Sequence, residues 1–259
     1  MKRKSHVGNT GDFILETRAL TKEFMGFAAV SDVNLKVRRG TVHALIGPNG
    51  AGKTTTFNLL TKFMMPTAGT ILYNGDDITR ARPAALARRG MARSFQISAV
   101  FLNLTVRENV RVALQRVLGI SLHFWRSEKR LRTLDARADD LVEAVGLTDY
   151  LHAPAVELSY GRRRALEIAT TLALDPEMLL LDEPTSGLGQ EDVKRISALI
   201  KRTAEKRTVL MVEHNLSVVA DLCDTITVLT RGRILAEGPY QTVSRNPEVI
   251  EAYMGTGHA

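Results

Sequence analysis

Apolar and polar residues alternate from Phe13 to Leu20 and again from Ala28 to Val37. That two-residue period predicts strands with one buried face, read here as edge-type antiparallel strands. Val42–Ile46 is instead a short apolar run that ends in glycines and then a helical pattern, as a buried parallel strand does. Met178–Leu181 and Thr208–Val212 are two more buried-strand candidates, and Glu191–Glu205 between them is the clearest helix. Strand–helix alternation of this kind predicts a parallel sheet covered by helices.

The middle of the chain follows another rule. Thr105-Val106-Arg107-Glu108 fits a capping box, after which Val106, Val110, Ala113, Leu114 and Val117 fall on one helical face. Leu131, Leu134, Ala138, Leu141, Val142 and Val145 make a second helical stripe. Residues from about 97 to 160 therefore read as a helical insertion in a single α/β domain spanning 13–255, with tails at 1–12 and 256–259. No internal repeat or Pro/Gly/Ser linker divides that domain.

Composition narrows the choice only modestly. The 259 residues are 44% hydrophobic and 24% charged, which excludes disordered and collagen-like classes. A single Cys, Cys223, cannot form an internal disulfide, and no Cys/His cluster has zinc spacing, which points to a reduced compartment. The net charge of +7 makes an anionic partner plausible without choosing among nucleic acid, nucleotide and membrane surface. No stretch approaches the roughly 18–20 apolar residues of a spanning helix, so the chain reads as soluble or peripheral to a membrane.

The motifs decide more. Gly47-Pro48-Asn49-Gly50-Ala51-Gly52-Lys53-Thr54-Thr55 directly follows the Val42–Ile46 strand. Glycines there let successive backbone N–H groups and a helix N-terminus face a phosphate chain. In that reading Lys53 reaches the β- and γ-phosphates and the Thr54 hydroxyl binds Mg²⁺. Asp182 and Glu183 end the Met178–Leu181 strand: Asp182 suits Mg²⁺ held through water, and Glu183 suits a base that polarises an attacking water. Ser159, in Leu158-Ser159-Tyr160-Gly161, is either a plain N-cap or a phosphate contact at a helix start.

The motifs GPNGAGKT, SFQ, LSYG, LLLDEP and VEHN, in this order and spacing from about Leu15 to Gly255, resemble those of ABC transporter ATP-binding subunits. The resemblance implies a P-loop NTPase with a RecA-like parallel sheet core, an N-terminal antiparallel β subdomain and an inserted helical subdomain. It implies ATP and Mg²⁺ as cofactors, and two ATPs sandwiched between two such subunits, each site pairing one phosphate loop with the other's LSYG segment. Carried over by position, Phe24 matches an aromatic that stacks on adenine, or else is a core Phe. Gln96 matches the glutamine that touches Mg²⁺ and the lytic water, His214 the γ-phosphate histidine, and Ser159 and Gly161 the contacts to the partner's ATP. Glu183 is the matching general base.

Two positions depart from the pattern. Arg162 follows LSYG where many relatives have Gln, and Gly189 stands where an Asp is common. Cys223 reads as a small core residue, and Trp125 with His123 and Phe124 as satellite packing or else a contact to a membrane subunit. Ile97–Leu104 is the candidate groove for a cytoplasmic helix of the membrane permease subunits. Ile78–Gln96, Leu158–Pro176 and Asn246–Gly255 are similar to uptake ATPases for branched-chain, hydrophobic amino acids. That likeness implies a place on the cytoplasmic face of the inner membrane, with permease subunits, a second ATPase subunit and, indirectly, a solute-binding protein as partners. Urea/amide importers and lipopolysaccharide exporters share much of the pattern. A nucleic-acid-associated ATPase is disfavoured: only 107 positions separate Gly52 from Ser159, too few for a long coiled coil, and there is one cassette. No nucleic-acid partner is expected.

Overall fold

The computed structural model describes residues 11–94, 100–117 and 134–254. The described residues form two compact units, one of 11–86 with 206–254 and the other of those between 87 and 205.

The first unit opens with β1 (Phe13–Phe24), β2 (Phe27–Val33) and β3 (Lys36–Arg38), joined later by β5 (Ala68–Tyr73) and β6 (Asp76–Asp77). They make an antiparallel sheet of order β2-β1-β5-β6, with β3 also paired to β1. The expected edge position of β1 is therefore corrected. It is a central strand, with β3 beside Phe13–Glu16, β2 beside Leu20–Phe24, and β5 on its other side. Alternation reports which faces are buried; it carries no information about whether the strand's edges are paired.

The single strand expected over Ala28–Val37 is broken in two. Asp32 takes a left-handed φ of 53°. Asn34 Nδ2 donates to the Asp32 carbonyl at 3.0 Å while its Oδ1 accepts from the Ala19 amide at 2.8 Å. Such an Asx-type turn competes with the ladder.

The same unit carries β4 (Val42–Ile46), β9 (Thr208–Val212), β10 (Thr225–Thr230) and β11 (Arg233–Gly238). β4 lies parallel to both β10 and β9, and β11 closes on β10 antiparallel. Every residue of β4 and β9 is buried, which explains their unbroken apolar character. A polar thread runs from buried His43 and Thr227 to the exposed Glu237. His43 Nε2 lies 2.7 Å from Thr227 Oγ1, whose proton goes to Glu237 at 2.6 Å, so Nε2 must be the donor. Burial pushes the His43 pKa down to about 4. Helices α1 (Lys53–Leu60), α2 (Pro83–Arg88), α7 (Leu216–Leu222), α8 (Tyr240–Val243) and α9 (Pro247–Met254) complete the elements outside the second unit's interior.

In the second unit β7 (Met91–Arg93) runs parallel to β8 (Met178–Asp182), and β8 is buried throughout. Its helices are α3 (Val106–Val117), α4 (Asp135–Ala144), α5 (Tyr160–Leu172) and α6 (Gln190–Ala204). The capping box forms as expected: the Glu108 carboxylate accepts from the Thr105 amide at 2.8 Å, and Thr105 Oγ1 accepts from the Glu108 amide at 3.2 Å. Of the two predicted stripes, Val106, Val110, Leu114, Leu134, Ala138, Val142 and Val145 are buried, Ala113 and Leu141 are half-buried, and Leu131 lies outside the described residues. Half-buried Arg107–Asp139 and Arg111–Asp135 ion pairs join α3 to α4. No helix among the described residues is long and apolar enough to cross a membrane.

Candidate active site

The first unit shapes the turn from β4 to α1 almost wholly from backbone. Gly47 has φ 148°, and a Cβ there would fall 2.2 Å from the Leu229 carbonyl oxygen of β10. Gly52 has φ 95°, and a Cβ there would fall 2.5 Å from the Ala29 carbonyl oxygen of β2. Only glycine lets the loop press this closely on two strands. Pro48 is half-buried, Asn49 and Gly50 are exposed, and Ala51 is buried.

Lys53 Nζ donates to the Gly47 carbonyl at 2.6 Å and to the Pro48 carbonyl at 2.9 Å, so the ammonium is held inside its own loop. Helix α1 then starts without a side-chain cap and without an acidic residue in its first turn. That end of the helix, with its positive dipole, suits an anion. Thr54 is exposed on that first turn and Thr55 is half-buried beside it.

A cavity of about 570 Å³ lies against the same loop, lined by Pro48, Asn49, Gly50, Arg231, Glu248 and Glu251 among others. It includes neither Lys53 nor Thr54, and its two carboxylates from α9 would repel phosphate. This is the back of the loop. Burial raises the pKa of the half-buried Tyr253 hydroxyl of α9, and a hydrogen bond from the Gly47 backbone amide partly offsets it. Sequence reasoning did not connect Tyr253 to the loop, because nothing local to either segment signals the other.

In the second unit the end of β8 is held by side chains. Asp182, only 3% exposed at its side chain, pairs with Arg93 of β7 at 2.7 Å. Glu183 follows with φ 45°, a left-handed conformation uncommon outside glycine. Arg164 of α5 is buried, pairs with Glu167 at 2.7 Å, and donates to the backbone carbonyls of Asp182 at 2.7 Å and Glu183 at 3.3 Å. None of these contacts to β8 was legible in sequence: Arg93 and Asp182 are 89 positions apart.

Ser159 caps α5, its hydroxyl accepting from the Arg162 amide at 3.4 Å, and it is exposed together with Tyr160. Gly161 is buried, and a Cβ there would fall 2.3 Å from the Asp192 carboxylate of α6. Arg162, the departure after LSYG, stacks over the Tyr150 ring at 4.3 Å. Gly189 is the N-cap of α6 and supplies no side-chain cap, which leaves Glu191 and Asp192 to meet the helix dipole.

The remaining candidates divide. Phe24 is 42% exposed near the exposed Met25 and Phe27, with the Lys22 ammonium 5.1 Å from its ring centroid. It is a surface aromatic, so the core alternative falls away. His214 is exposed, and its amide and that of Asn215 both donate to the fully buried Glu213 carboxylate, at 2.8 and 3.0 Å. Gln96 lies outside the described residues, as do residues 97–99 and His123, Phe124 and Trp125. Of the proposed groove, Phe101 and Leu102 are exposed and Val100 is buried. Cys223 is half-buried rather than fully in the core, and burial pushes its thiol up to about 12.

The model of the ABC transporter family matches residues 30–186 of this chain, more than half of it. The chain belongs to the ABC transporter family. It is 40% identical over 252 residues to the high-affinity branched-chain amino acid transport ATP-binding protein BraF of Pseudomonas aeruginosa, which covers 93% of this chain and 98% of that protein. It is 38% identical, with the same coverage, to the high-affinity branched-chain amino acid transport ATP-binding protein LivG of Escherichia coli. A second family model, for branched-chain amino acid ATP-binding cassette transporters, matches residues 233–259. Among solved structures, a nucleotide-free ATP-binding cassette from an ABC transporter superposes with a TM-score of 0.81 at 28% identity, covering 93% of this chain and 98% of the other. The ADP conformation of another ABC transporter cassette gives 0.81 at 30% identity, covering 94% and 99%. As an ABC family member the chain is a P-loop ATPase subunit that binds ATP and couples its hydrolysis to transport.

Proposed function

We propose that this ATPase drives import of branched-chain or other hydrophobic amino acids, docked on permease subunits at the cytoplasmic face of the inner membrane and fed by a solute-binding protein. The observation that carries the solute assignment is the near full-length likeness to relatives named for branched-chain amino acid transport.

In this reading the loop Gly47–Thr55 wraps the phosphate chain, the backbone amides of Asn49, Gly50 and Gly52–Thr55 and the Lys53 ammonium hold the β- and γ-phosphates, and Phe24 stacks on adenine. Charge-assisted donors on a preorganised backbone suit an anion that water would otherwise hold. The donor set also suits Mg²⁺. Among the described residues no group of three or more His, Cys, Asp or Glu could cage an ion. Thr54 and Gln96 would offer oxygens to the ion and Asp182 would hold it through water, phosphate and water completing its shell. Bound there, Mg²⁺ would neutralise charge on the transferring phosphate.

Glu183 acts as the general base, taking a proton from the attacking water at its carboxylate oxygen. His214 meets the γ-phosphate from the end of β9. Ser159 and the amide of Gly161 meet the phosphate of the ATP held by a second ATPase subunit, so closure of the pair completes each site. ATP binding thereby favours the closed dimer, and hydrolysis reopens it.

The test uses the intact transporter reconstituted in vesicles with its solute-binding protein. Leucine, isoleucine or valine should stimulate both ATP hydrolysis and uptake. Stimulation by urea or short amides alone, or by none of these solutes, would contradict the assignment.

A further inference from the structure

We propose that Arg164 is a positioning residue for hydrolysis: it clamps the two peptide groups flanking Glu183 and so fixes the direction of that carboxylate. The inference rests on the reading of Glu183 as the general base.

The geometry is specific. Nη2 of Arg164 donates to the carbonyls of two consecutive residues, Asp182 at 2.7 Å and Glu183 at 3.3 Å. One carbonyl belongs to the peptide before Glu183 and the other to the peptide after it. Holding both planes restricts rotation about φ and ψ of Glu183 together, and those two angles set where its Cα–Cβ bond points. Glu183 needs such a restraint, because at φ 45° a residue with a Cβ stays only where its surroundings hold it. The Ser186 amide adds a bond to the same Glu183 carbonyl at 3.1 Å.

Arg164 is itself held in place. Its side chain is 8% exposed, and Nη1 is fixed by Glu167, itself 6% exposed, at 2.7 Å. The pair is one helical turn apart on α5, so the rigid helix aims the guanidinium. A planar fork can serve a carboxylate on one nitrogen and carbonyls on another; a lysine ammonium, a single point of charge, cannot span the same three acceptors. A buried ion pair is a poor way to gain stability and is better spent on fixing one arrangement.

Two variants test this in the reconstituted transporter: Arg164→Lys, which keeps the charge, and the double change Arg164→Met with Glu167→Leu, which removes both charges and leaves neither buried alone. The clamp predicts that kcat for ATP falls about ten- to a hundredfold in both, while KM for ATP stays within about twofold. It also predicts faster hydrogen exchange at the Ser186 amide, with the Ser94 amide, which bonds to the Leu180 carbonyl of β8, unchanged. In a Glu183→Gln background the same changes should cause no further loss, because the group they position is gone.

Unchanged kcat in the Arg164 variants, a parallel rise in KM, or an equal further loss in the Glu183→Gln background would overturn the clamp. Rapid turnover by Glu183→Gln alone would instead overturn the base assignment. The two failures are thus distinguishable.

Discussion

The turn between β4 and α1 and the end of β8 reach functional geometry by opposite means. In the first, the backbone itself makes the shape. Glycines at left-handed φ press against strand carbonyls, helix amides are left uncapped, and one lysine bonds back to its own loop. In the second, buried charged side chains from β7 and α5 hold the strand end, through the Arg93–Asp182 pair and the Arg164–Glu167 pair. A backbone-built site is written in contiguous residues and fails when a side chain is added. A site built from side chains is written in distant residues and fails when one partner is taken away.

Changes to each region should sharpen that contrast. The largest effect belongs to Glu183→Gln, which removes the proton acceptor and leaves its backbone setting intact. ATP turnover should drop about 10²- to 10⁴-fold, measured as phosphate release. Next comes Lys53→Ala, which takes the ammonium from the loop and should weaken ATP binding about a hundredfold by titration calorimetry; unchanged affinity would contradict the phosphate-loop role. Arg93→Met strands Asp182 in a buried setting and should cost about 3 kcal/mol in chemical denaturation. Gly47→Ala forces the loop off Leu229 and should cost about 2 kcal/mol, with ATP affinity falling alongside.

The smallest effect is a pH dependence in the first unit. His43 is neutral when folded, with its pKa near 4 against an ordinary 6.5. Below pH 6.5 the unfolded chain binds a proton that the folded chain refuses, so stability falls as pH drops. The loss stops growing near pH 4, where the folded state also protonates. At pH 5.5 it amounts to about 1.4 kcal/mol. His43→Gln, which keeps a donor for Thr227 and cannot titrate, should flatten the denaturation midpoint across that range.

The contrast also explains what could be read before the fold was known. The phosphate loop, the Thr105–Glu108 capping box and the buried strands at 42–46, 178–182 and 208–212 are local patterns, and each lies within a residue or two of its expected place. The central position of β1 was not legible, since its alternation says nothing about which edges are paired. The break at Asp32 depended on Asn34 finding the Ala19 amide across the sheet. Arg164 belongs to the basic run Arg162-Arg163-Arg164, which as sequence fits either a solvated face or an attraction for anions. Yet Arg162 stacks on Tyr150 while Arg164 turns inward to β8, because helical rotation sends positions two apart to different sides. Tyr253 reaches Gly47 only through the folded sheet.

The central claim is that ATP bound at Lys53 of one chain is enclosed by a second chain and then cleaved with Glu183 as base. Light scattering of the Glu183→Gln variant with MgATP tests it most directly. The account predicts bound nucleotide and a stable species of twice the single-chain mass, which the wild-type chain populates only transiently. A variant that stays at single-chain mass with nucleotide bound, and still turns over rapidly, would contradict it.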